Sequence, residues 1–176
     1  TCVEPSIGED PVLDLLRADN FMATGSQLFR RAWLEHVGGY VESYRFIEDV
    51  DLLLRIAIGE GTMKRVRSDR PLLWYRQHSG SLSCSDAQGF IDGCVRNARM
   101  AEAYWNQRDE LTIERARLVA DVYCGGARYY AEHDSAVFRV LAEDISRLVP
   151  GFVPSGSRSL RLLSRAVGYT WAEQCS

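Results

Sequence analysis

Three carboxylates stand within four positions of the run FIEDVDLLLR: Glu48, Asp49 and Asp51. Held that close they repel one another, unless a cation, a helix end or a shared proton compensates. A second group follows in YRQHSGSLS, where Tyr75, Arg76, His78, Ser81 and Ser83 supply a guanidinium, an imidazole and hydroxyls. A guanidinium pairs with phosphate oxygens, and a neutral imidazole nitrogen ligates metals. If this stretch is extended, side chains repeat every two residues, so Arg76 and His78 share a face and reach one anion. A carboxylate able to take a proton, followed by groups able to neutralise a departing anion, outlines one half of a group-transfer site.

Each of these residues also has an ordinary reading. Acids are favoured in the first turn of any helix, where they complement its dipole, and Asp51 with Arg55 has the four-residue spacing of a simple helix ion pair. The helix that follows is apolar nearly all round through Val50, Leu52, Leu53, Leu54, Ile56 and Ile58. Such a helix is expected to be buried, which turns the acidic tip that carries Asp49 toward the interior or a cleft. His78 reads equally as a hydrogen-bonded loop residue, and Gly38 and Gly39 as a helix stop after RRAWLEHV.

The elements that must position these groups are a strand near 21–24, a helix over 30–37, the buried helix over 49–58 ended by Gly59 and Gly61, and β-prone segments over 62–67 and 71–77. From Asp86 onward strand signals stop. Apolar residues then keep helical spacing, through Ile91, Val95, Ala98, Ala101 and Tyr104 and again through Ile113, Ala116, Ala120 and Tyr123. Helices are expected over 86–108, 111–132, 134–148 and 157–168, with an N-cap at His133, Asp134 and Ser135 and breaks at Pro150, Gly151 and Pro154. Tyr123, Tyr129, Tyr130 and Phe138 read as packing core.

Taken in order, the pieces NFMATGSQLFRR, WLEHVGGY, FIEDVDLLLRIA, RPLLWYRQ and HSGSLS, from about 20 to 83, resemble the family 2 glycosyltransferases. These are inverting enzymes of the GT-A type that move a sugar from a nucleotide-diphosphate-sugar donor to an acceptor hydroxyl. The resemblance implies that Asp49 is the general base with Glu48 beside it, and that Arg76 and Ser81 serve the donor diphosphate. It further implies that Gly39 and Glu42 lie on the acceptor side, and that His78 helps hold a divalent cation, Mg2+ or Mn2+. The acceptor would be a saccharide or a lipid-linked sugar. Where the family has an Asp after the Gly-Gly turn this chain has Val41, and no Asp-x-Asp precedes the acidic cluster. The expected fold is accordingly α/β but mostly helical: the acceptor-side half of a GT-A-like domain over 1–85, then a helical extension over 86–176. The chain reads as a fragment without its donor-binding half, inactive by itself. The alternative is a non-catalytic helical interaction module that carries a degenerate transferase remnant. A different nucleotide-using transferase or hydrolase is a third reading.

Composition narrows the partners. The chain has 176 residues and 46% hydrophobic content, enough for a packed core. A net charge of −3, with basic residues scattered among acids, gives no electrostatic case for nucleic acid. Lys64 is the single lysine among 21 basic residues. The five cysteines are odd in number and lack a C-x-x-C pair, so they read as free thiols in a cytoplasmic protein. Arginines alternate with leucines over 158–165. That pattern suits peripheral contact with the inner face of a membrane, and it suits equally a helix that closes a bundle.

Overall fold

The computed structural model describes residues 7–17, 20, 22–66, 68, 70–71, 73–74, 76, 85–155 and 158–174. By internal contacts the chain divides into two compact units, Thr1–Gly93 and Cys94–Ser176.

In the first unit, helix α1 (Pro11–Leu16) starts where Asp10 accepts the Leu13 N–H at 3.0 Å, with Pro11 in the first turn. It buries Val12, Leu13, Leu15 and Leu16 against helix α3 (Glu48–Ile58). Helix α2 (Arg31–Val37) also packs on α3. It stops at Gly38, whose φ of +81° suits glycine, and the Gly39 N–H returns to the Leu34 carbonyl at 2.8 Å, as in a Schellman turn. The apolar face of α3, through Leu52, Leu53, Leu54, Ile56 and Ala57, is the core of this unit. Burying each large aliphatic side chain contributes about 1.5–3 kcal/mol.

The entry to α3 is fixed by a close approach. A Cβ on Gly89 would fall 2.7 Å from the Phe46 ring, and one on Gly93 2.9 Å from the Phe46 carbonyl oxygen. The two glycines, four apart on helix α4 (Ala87–Gln107), therefore let the 46–47 segment lie directly on its backbone. Ile47 there adopts φ +58°, a left-handed conformation that costs a β-branched residue about 1–3 kcal/mol. That turn aims the first residues of α3.

In the second unit, the part of α4 from Cys94 on is followed by α5 (Ile113–His133), α6 (Ser135–Leu148), α7 (Arg158–Val167) and α8 (Tyr169–Gln174). Thr112 caps α5 and Asp134 caps α6, the latter accepting the Ala136 and Val137 N–H groups. Trp105, Tyr123, Phe138, Leu141 and Ile145 fill the core. Glu102, buried at its centre, ties three helices. It accepts the Tyr123 hydroxyl at 2.7 Å and an Arg147 N–H at 2.8 Å, and Arg147 also pairs with Asp144. Glu173 of α8 is held on α5 by Arg128 at 3.0 Å. Arg117 donates to the Val153 carbonyl and lies 4.3 Å over the Phe152 ring, which fastens the segment between α6 and α7.

The expected α/β, GT-A-like arrangement is not what forms. Every regular element among the described residues is helical, and no strand occurs. Residues 62–66 lack strand pairing, and Thr62, Lys64, Arg65 and Val66 are exposed. An extended segment becomes a strand only with a neighbour to complete its backbone hydrogen bonds and an apolar face to bury; TMKRV offers little of the latter. At the expected first strand, Met22 and Ala23 are irregular and Thr24–Ser26 is a 3-10 turn. Phe21, Leu72, Tyr75 and Gln77 lie outside the described residues. The two described cysteines, Cys94 and Cys124, are free thiols. No described helix is long and apolar enough to cross a membrane.

Two outcomes follow from the Glu102 centre. Glu102→Ala leaves the buried Tyr123 hydroxyl without its acceptor, and should lower the unfolding free energy in urea by about 1–3 kcal/mol. Burial, together with the hydrogen bond to Glu102, pushes the Tyr123 phenol well above the usual tyrosine range. A raised folded value means that the stabilisation is complete below the unfolded value, about pH 10, and is lost as pH rises above it. Unfolding followed against pH should show that alkaline loss, and Tyr123→Phe should make it shallower.

Candidate functional site

The acidic cluster does not act as one group, because the fold separates its members. Asp51 points inward, with only 3% of its surface exposed. It receives the Arg55 guanidinium at 2.8 Å, and Arg55 directs its other N–H groups to the Val37 carbonyl at 2.6 Å and the Gly39 carbonyl at 2.7 Å. Those carbonyls belong to the end of α2 and the turn after it, where helix carbonyls lack internal partners. The ion pair expected from spacing is present, and it is more than a surface pair: it ties α3 to the α2 turn. The carbonyl of Gly39, expected on the acceptor side, is thereby occupied by Arg55.

Glu48 and Asp49 remain half-buried at the head of α3. Asp49 Oδ1 accepts the N–H of Val50 at 2.8 Å, and its Oδ2 accepts the Thr24 hydroxyl at 3.1 Å. Tyr40, two residues past the α2 stop, lies within electrostatic reach of the same two acids. Its phenol is held above the ordinary tyrosine value by desolvation first, then by the negative charges of Asp49 and Glu48. The ring stays 45% exposed, so it offers solvent an aromatic surface beside the carboxylates. Glu42 lies exposed in the turn closed by the Tyr44 N–H on the Val41 carbonyl at 2.9 Å.

Of the second group, Arg76 is described and exposed. A Cβ on Gly25 would lie 3.6 Å from Leu73 Cδ1, so Leu73 rests on the same 3-10 turn whose Thr24 holds Asp49. Trp74 beside it is 89% exposed. Tyr75, His78, Ser81, Ser83 and Cys84 lie outside the described residues. Among the described residues no three of His, Cys, Asp and Glu gather to hold a metal ion. Glu48 and Asp49 alone are too few ligands for a divalent cation, whose oxygen shell they could begin but not complete.

Thr24 and Tyr40 are the residues of this site that sequence patterns do not single out. Thr24 stands 25 positions from its partner, which no local pattern encodes. Tyr40 carries a usable signal, an aromatic residue directly after a helix-stopping glycine pair, where the chain emerges beside the next helix. No family model, curated protein or solved structure matches this chain.

The charges of Glu48 and Asp49 should be readable at Tyr40. In a spectrophotometric titration, with Tyr40→Phe as the difference reference, Asp49→Asn should lower the Tyr40 midpoint toward the ordinary tyrosine value. An unchanged midpoint would place the phenol away from Asp49.

Proposed function

We propose that the first unit carries the acceptor-activating carboxylate of an inverting glycosyl transfer, from a nucleotide-diphosphate-sugar to a saccharide or lipid-linked acceptor. The supporting observation is the setting of Asp49. It is a half-buried carboxylate fixed by the Thr24 hydroxyl and the Val50 N–H, with lone pairs left over and an exposed aromatic ring beside it. Both features suit the task. A sugar hydroxyl is a weak nucleophile, and a carboxylate held in one orientation can take its proton as the oxygen attacks the anomeric carbon. The new carbon–oxygen bond forms as the bond to the diphosphate breaks, and the departing negative charge needs cationic partners. Arg76, exposed, has suitable chemistry. The sequence resemblance adds Ser81 for the diphosphate and His78 for a divalent cation, which would supply further charge neutralisation. Glu48 orients the acceptor or tunes the base.

A second reading is a helical interaction module, and one observation favours it: the described residues contain no strand, while 94–176 closes a core of its own from helices. The two readings differ in turnover. If the first is right, Asp49→Asn should lower kcat by about 10²–10⁴-fold, measured as nucleotide diphosphate released from a panel of nucleotide sugars, with the far-UV spectrum unchanged. Undiminished kcat in the Asp49→Asn variant removes the base role. The assay uses the protein together with the donor-binding half that the resemblance implies, and a wild-type form of it that turns over no donor in the panel gives the lead to the interaction module.

A further inference from the structure

Helix α7 leaves two leucines, Leu162 and Leu163, outside. Its Ser164 faces inward, 5% exposed, and the serine hydroxyl finds no hydrogen-bond partner among the described residues. Leu162 is 66% exposed and Leu163 40%, and Arg161, Arg165 and Ala166 are exposed around them. A helix whose role was to close the bundle would point its leucines inward. Leu162 and Leu163 are adjacent on the outer side, so together they form a small apolar patch that another surface can cover.

Charge says what kind. Between Asp144 and Glu173 the sequence carries Arg147, Arg158, Arg161 and Arg165 and not one acid, in a chain whose net charge is −3. Arg147 is engaged by Glu102 and Asp144. Arg161 and Arg165, one helical turn apart, flank the leucines. Two leucines on a convex helix offer far less than the roughly 800 Å² that each partner buries in a stable protein interface. A bilayer demands no matching shape. Leucines can enter the acyl boundary while arginine side chains extend to the phosphates above.

We propose that the outer face of α7 docks on an anionic lipid surface, with Leu162 and Leu163 inserted and Arg161 and Arg165 on lipid phosphates. The proposal is independent of the glycosyl-transfer reading. The test is co-sedimentation of the full chain with vesicles of phosphatidylcholine alone and with vesicles that also contain phosphatidylserine. Binding is expected only to the anionic vesicles and should weaken as salt is added. The double variant Arg161→Glu, Arg165→Glu should weaken it by more than about tenfold, and Leu162→Asp should weaken it as well. These side chains are exposed, so far-UV spectra and thermal midpoints should match the wild type. Failure of the wild type to bind anionic vesicles overturns the proposal, as does binding that both variants leave unchanged. A wild-type dimer that ignores vesicles and is dissolved by Leu162→Asp also overturns it, and assigns the face to a second copy of the chain.

Discussion

A buried carboxylate in an otherwise apolar helix is tolerated only if its charge is answered in place, and the first unit is arranged around that requirement. Asp51 is answered by Arg55, one turn on, at 2.8 Å. Bringing the guanidinium inward creates a second need, because its remaining donors must also be satisfied away from water. The end of α2 supplies the acceptors, through the Val37 and Gly39 carbonyls. One side-chain pair thus satisfies an acid, a base and two helix-terminal carbonyls at once, and it fixes where Tyr40 leaves the glycine turn. The position of the phenol beside Glu48 and Asp49 descends from a contact that involves none of the three.

The second unit meets a similar requirement by different means. Glu102 is reached by donors from two other helices, the Tyr123 hydroxyl and Arg147. Glu173 is reached by Arg128 across α5 and α8. Removing one partner in such a set leaves the others desolvated, which is why these groups specify one packing more sharply than an aliphatic contact does. Arg128 also lies 4.0 Å from the Cys124 sulfur, yet burial outweighs that positive charge and pushes the thiol up. Cys124 is a packing residue with the reactivity of one.

The surface features contrast with these interiors. Asp49, Tyr40 and Arg76 are half-buried or exposed; Asp49 follows the Ile47 turn seated on Gly89 and Gly93 and is held by the Thr24 hydroxyl, and Tyr40 follows the stop at Gly38. Leu162 and Leu163 of α7 are left outside although a buried position would be more favourable for each. The fold thus keeps two polar–apolar surfaces open, one around a carboxylate and one around a pair of arginines.

Local patterns determined much of this by themselves. Helices α4 to α7 lie within a residue or two of where apolar spacing puts them, because the 3.6-residue repeat runs through each, while the six-residue α8 is too short to show one. Asp134 caps α6, Gly38 stops α2 and Asp51 pairs with Arg55, since each depends on neighbours no more than four or five residues away. Periodicity could not decide whether 62–66 would find a strand partner, and no partner formed, so the expected sheet was lost. Nor could it place Thr24 against Asp49, bring Tyr123 and Arg147 onto Glu102, or turn Ser164 inward and Leu162 out. Those outcomes depend on which surfaces meet, a property of the whole packed chain.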